Sequence, residues 1–258
     1  MRLMKKFWGA AAALVLSASL LVGCSSGTAS SVPVSASSAA ESTVSSVEET
    51  ASSAVDENEA AAAQLLNDLT GSYQELWPVI LADEYKQTWL DDCTALVGED
   101  NAEAAFEKLS SMVTGDVYGE DAVKAYANGG GAYFCGFTNS LATLTFDGET
   151  STISGTDKDG NVLFSHTYHY IGMEPVRGLY EFQSDDADSG EFTYFFLAPD
   201  TSAETYHIEF RYGSDAEALS QYDAGEYAYW LASGISTDCD QTMIDNCIEL
   251  FCTENLVG

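Results

Sequence analysis

The chain has 258 residues, with 41 acidic against 9 basic side chains and a formal charge of −32. That balance excludes a nucleic-acid-binding protein and a polybasic membrane-surface protein, because both need clustered Lys and Arg. Hydrophobic residues make up 46% of the chain and aromatics 12%, enough for a core, but they are unevenly spread. No aromatic occurs between Trp8 and Tyr73, and no Lys or Arg between Lys6 and Lys86. Composition alone therefore divides the chain into a leader, a spacer and one globular domain.

Arg2, Lys5 and Lys6 make a basic start, followed by an apolar run from Phe7 to Gly23 with the flanks of a secretory signal. The run ends in Leu21-Val22-Gly23-Cys24, which resembles the bacterial lipobox. That resemblance implies cleavage after residue 23 and a diacylglycerol on the Cys24 thiol, with the domain held outside the cytoplasmic membrane. Loss of Arg2, Lys5 and Lys6 with the leader would take the charge from −32 to −35. Residues 24–59 continue as Ser, Ala, Val, Thr and Glu with one proline, Pro33. They carry too little large apolar surface to offset the entropy of ordering, and read as a disordered tether with a reach of about 30 Å.

The domain is expected over residues 60–258. Leu65, Leu66, Leu69, Tyr73, Leu76 and Trp77 recur at helical spacing, predicting a helix over Ala60 to Leu81 that Pro78 interrupts. Further helices are predicted over Asp83–Val97 and over Asn101–Met112. After Gly131 the texture changes to alternating apolar residues with Asp-Gly turns. The alternating sets are Leu144/Phe146, Val162–Phe164, Tyr168/Tyr170, Tyr180/Phe182, Phe192/Tyr194/Phe196 and Tyr206/Ile208/Phe210/Tyr212. Short strands between Gly- and Asp-rich turns predict an antiparallel sheet or barrel. Met243, Ile244, Cys247, Ile248 and Phe251 predict a closing helix over Asp240–Cys252. The fold class is mainly β, α+β: helices, an antiparallel β unit, then a helix.

Candidate chemistry is sparse. Asp157-Lys-Asp159-Gly160 has the look of a calcium loop, but the twelfth position holds Tyr168 where a bidentate acid belongs, so a hairpin turn is expected. Asp185, Asp186, Asp188 and Glu191 form an acidic loop, read as a solvated turn. His166 and His169 are an odd number of residues apart and should face opposite sides of one strand. His207 shares a face with Glu209. Five cysteines follow Cys24, namely Cys93, Cys135, Cys239, Cys247 and Cys252. Disulfides are expected in an oxidising compartment, with one thiol left over and the pairing open. The sequence holds no nucleophile elbow, P-loop, dinucleotide fingerprint or HExxH, and nothing in it points to an enzyme.

Five segments, in order between about Leu69 and Trp230, resemble those of the ZinT/YodA family of zinc-binding domains. They are Tyr73-Gln-Glu-Leu-Trp77-Pro78, Tyr168-His-Tyr170-Ile-Gly172-Met-Glu174, Arg177-Gly-Leu-Tyr180-Glu-Phe182, Phe195-Phe-Leu-Ala198-Pro199, and His207-Ile-Glu-Phe210 with Gly213-Ser-Asp215. The resemblance implies a lipocalin/calycin-like antiparallel barrel with N-terminal helices and a C-terminal helix. It also implies a surface lipoprotein that buffers zinc or delivers it to a metal importer. In the family three histidines hold the metal; here their positions carry Phe195, Thr205 and His207, so only His207 matches. Glu209 is the expected second ligand, with His166, His169 or Glu204 as further contributors. One imidazole among carboxylates makes a harder site, open to calcium or manganese as well as zinc. The alternative is a barrel that has lost its metal and binds a small apolar ligand or a protein partner.

Overall fold

The computed structural model describes residues 57–198 and 207–257. Cys24, the leader, the tether up to residue 56 and Glu204 lie outside the described residues; residues 57–59, expected in the tether, are helical. Helix α1 runs through residues 57–68 and leads into β1 (Gly71–Glu75) and a one-turn helix α2 (Leu76–Ile80). A 3₁₀ turn at Asp83–Tyr85 continues into α3 (Lys86–Val97), and Gly98, at φ 84°, swings the chain into α4 (Glu99–Val113). Helix α5 (Glu120–Ala127) follows. The strands are β2 (Thr143–Asp147), β3 (Thr152–Thr156), β4 (Val162–Met173), β5 (Tyr180–Ser184), β6 (Tyr194–Leu197), β7 (His207–Gly213) and β8 (Ala232–Ser236). A short α6 (Ala216–Leu219) precedes β8, and α7 (Gln241–Leu256) closes the domain. Among the described residues no helix is long and apolar enough to cross a membrane.

All eight strands pair antiparallel in sequence order, and β1 pairs with β8 to close the barrel. Closure corrects the single helix predicted over Ala60–Leu81. The Leu65 to Trp77 spacing spans a helix, a strand and a second helix, and the break falls at Gly71, whose φ of 145° suits glycine. Tyr73 faces inward and meets the Phe146 ring edge-on at 5.7 Å.

The turns are built from short side chains that cap the backbone. Asp157 Oδ1 accepts the amides of Asp159 and Asn161, both at 2.9 Å, and its other oxygen accepts Asn161 Nδ2. These bonds, the Asn161 side chain first, hold its carboxyl below the usual range, and Gly160 takes φ 82°. The calcium-like motif is therefore a β3–β4 hairpin turn, as expected. Asp240 caps α7 by accepting the Met243 amide at 3.0 Å.

The barrel interior is filled by side chains, as eight strands dictate. Phe195 lies 5.3 Å from Tyr212, 5.4 Å from Tyr168 and 6.3 Å from Phe210, and all are buried. This shifts the phase expected for β6. Phe195 and Leu197 pair with the inward Tyr212 and Phe210, whereas Phe196 pairs with Arg211 and faces out. A second core lies outside the wall, where Ile235 of β8 meets Trp77, Trp89, Leu109, Ile248 and Phe251 of the helices.

Candidate functional site

The outer face of β7 is covered in three stretches. At its start, His207 faces α7 and shares a pocket of about 30 Å³ with Glu209, Cys247 and Glu254. Burial pushes the His207 imidazole down to about 4. At its end, Arg211 is fully buried beneath the segment that returns to β8. Between them, at Glu209, the helices stand off the wall and leave a cavity of about 280 Å³.

This cavity has the barrel wall as its floor, through Glu209, Leu231 and Ser233. Its sides are Trp77 from α2, Met112 and Val113 from α4, Tyr126 from α5, and Tyr133 and Cys135 from the stretch after α5. Lys108 and Arg177 also reach it. The lining is mainly apolar and aromatic, and the volume is near the lower end of the ~300–1,000 Å³ usual for small-molecule sites. Tyr126 stacks on Tyr229 at 3.7 Å, and both meet the edge of Tyr133, which fixes one rim. Arg177 is held with its guanidinium 4.0 Å over the Tyr222 ring and donates to Tyr133 Oη at 3.1 Å. The Trp77 Nε1–H is buried without a hydrogen-bond partner; the group beside it is the Cys135 thiol, a weak acceptor at best.

The sequence-predicted metal residues are placed as follows. His207 and Glu209 do share a face, and it is the outer one. Phe195, at the position of a family histidine, points into the barrel, so it and His207 lie on opposite sides of the wall. His166 faces in and donates to Asp186 at 2.7 Å, whereas His169 faces out and pairs with Asp185 at 2.6 Å. The acidic loop thus holds two histidines and pins the β5–β6 connection to β4. Among the described residues no three His, Cys, Asp or Glu side chains come close enough to share an ion. The donor set does not by itself supply the three protein ligands of a zinc site.

Other residues of the resembling segments have structural duties. Glu174 is fully buried and accepts the amides of Val176 and Arg177, both at 2.7 Å. Asp215 caps α6 through the Glu217 and Ala218 amides. Sequence reading missed the cavity because its walls come from separate elements; the one local signal was the aromatic Trp77 beside Pro78.

No family model matches the chain, and no curated protein does. The chain is similar to two solved structures of zinc-bound proteins. One is the ZinT-like domain of Streptococcus pneumoniae AdcA, at 16% identity and a TM-score of 0.45, over 71% of this chain and 89% of that one. The other is AdcA from the same organism, at 14% and 0.43, over 72% of this chain and 35% of that one. Likeness at this level leaves the chemistry of the site to be read from its own residues.

Proposed function

We propose that this chain is a lipid-anchored surface protein whose barrel domain binds a small apolar or aromatic molecule in the cavity on the outer wall. The anchor is Cys24, and the acidic tether carries the domain outward from the membrane. The observation that carries this reading is the cavity itself, walled largely by aromatic and apolar side chains and bordered by Trp77, whose buried Nε1–H has beside it only the weakly accepting Cys135 thiol. A ligand with a carbonyl or carboxylate acceptor would satisfy that donor, whose burial unpaired costs ~1–3 kcal/mol. Met112 is half-buried on the cavity side, so Met112→Trp should fill the space without disturbing the barrel. Screening benzoate-, phenol- and indole-sized compounds by ligand-observed NMR should find binders that Met112→Trp weakens roughly tenfold or more. Binding unchanged by that substitution would place the site elsewhere.

Divalent-metal binding is the second reading, favoured by His207. Its imidazole stays neutral to about pH 4, as a metal ligand must be, and Glu209, Cys247 and Glu254 surround the same small pocket. Zinc, calcium and manganese titrations on tag-free protein test it. Stoichiometric zinc binding lost in His207→Ala would establish a metal-handling protein, and delivery to an importer would then follow as its role. No saturable binding would leave the cavity reading alone.

A further inference from the structure

No disulfide links the five cysteines of the domain here, yet two of them face each other across a helix–helix contact. Cys93 Sγ of α3 lies 3.9 Å from Cys252 Sγ of α7, and both residues are wholly buried. The helices are already locked beside them. Trp89, one turn before Cys93, meets Phe251, the neighbour of Cys252, ring edge to face at 5.9 Å. A disulfide needs sulfurs about 2.05 Å apart, so each must travel only about 1 Å, within reach of a small side-chain rotation. Of the other thiols, Cys135 sits on the cavity wall beside Trp77 and Ser233, Cys247 lines the His207 pocket, and Cys239 lies part-exposed in the connection between β8 and α7.

We infer that Cys93 and Cys252 form the structural disulfide of this domain when it folds under oxidising conditions, tying α3 to α7. The reaction is thiol–disulfide exchange with a low-molecular-weight or protein disulfide. One cysteine thiolate attacks the oxidant's disulfide and releases one thiolate. The second cysteine then attacks the mixed disulfide and releases the other. The two protons and two electrons lost by the cysteines end on the oxidant, now two thiols. Burial raises the pKa of both thiols, so exchange belongs to the interval in which the helices dock, before the sulfurs are sealed. Cysteines 159 positions apart would close most of the domain into one loop, the case in which a cross-link restricts the unfolded chain most. The bond would also fix α7, and with it the cover over His207.

The test refolds the full chain in glutathione disulfide, blocks remaining thiols with iodoacetamide and maps peptides without reduction. The expected product is a linked pair of peptides carrying Cys93 and Cys252, two hydrogens lighter than the free peptides together. Dithiothreitol should lower the wild-type Tm by about 10 °C and leave Cys93→Ser unchanged. Alkyl label on both residues after oxidative refolding, or Cys93 linked to a different cysteine, would overturn the assignment. Wild-type mapping decides the matter even if Cys93→Ser folds poorly, and Cys252→Ala supplies a second reduced reference for the Tm.

Discussion

Replacing Arg211 by Met should destabilise the domain by ~2–4 kcal/mol, read as a lower urea midpoint at unchanged slope. Arg211 projects from β7 into the segment between α6 and β8, where its guanidinium donates to the carbonyls of Leu219, Tyr227 and Gln221. Its charge has no carboxylate partner within 4 Å among the described residues; it lies 4.4 Å over the Tyr222 ring instead. Burial lowers its pKa to about 10, so it remains charged at neutral pH. Two effects compete on substitution. Removing a buried charge relieves a desolvation cost. Against that, several buried carbonyls lose their donor, at ~1–3 kcal/mol each, and a methionine replaces none of those bonds. The second effect is larger because the carbonyls belong to a connection that crosses the barrel wall and has no sheet of its own. Arg211→Lys should recover only part of the loss, since an ammonium cannot span Leu219 and Tyr227 as the planar fork does. A loss under about 1 kcal/mol in Arg211→Met would mean that water or a rearranged connection satisfies those carbonyls.

The second large effect is a pH dependence at His207. Its folded pKa, about 4, lies below the unfolded 6.5, and the cause is burial. A histidine held neutral by the fold contributes stability that is fully present above the unfolded value and is lost as pH falls through the folded one. The window is therefore pH 6.5 down to about 4. The contribution is up to ~3 kcal/mol from the size of the shift, less some discount because the residue is only part-buried. Glu209, Cys247 and Glu254 face the same pocket, so acid also changes the carboxylates around it. The comparison that isolates the imidazole is wild type against His207→Gln. Between pH 7 and pH 4 the wild type should lose ~2–3 kcal/mol more than the variant. Equal losses would mean that water enters the pocket and hydrates the imidazolium.

Both effects arise on the outer face of one strand, and this was the part of the molecule hardest to read from sequence. The inner face was legible: Ile208, Phe210 and Tyr212 alternate and are all buried inside the barrel. The closing helix was legible too, because Asp240 caps it and its apolar residues keep one side. By contrast, Ala232–Ser236 holds small residues with no alternation. Ala232 and Gly234 face the interior, while Ser233 and Ile235 face the helices, so both sides are buried and period two vanishes. The same double burial hid the phase of β6. Strand β1 escaped because Tyr73 and Trp77 happen to fit a helical period. His207 was visible as the one match to the family's histidines, but strand parity alone could not say that its face was covered by α7. The cavity had no linear signature at all.

Closure of the barrel between its first and last strands has a consequence for how the chain folds as it is made. Tyr73 of β1 pairs with Ser236 of β8, so the seam joins nearly the two ends of the domain. Strands β2 to β8 each pair with a sequence neighbour, whereas β1 reaches β2 across α2–α5 and β8 across the whole domain, so both contacts of β1 carry a high loop-closure cost. A chain delivered N-terminus first would hold β1 with one edge unpaired until β8 emerges, exposing a template for pairing between copies. With −32 formal charges, neighbouring nascent chains repel one another during that interval. On this view the acidic surface acts as a kinetic chaperone written into the sequence, protecting the seam while it waits for its last strand.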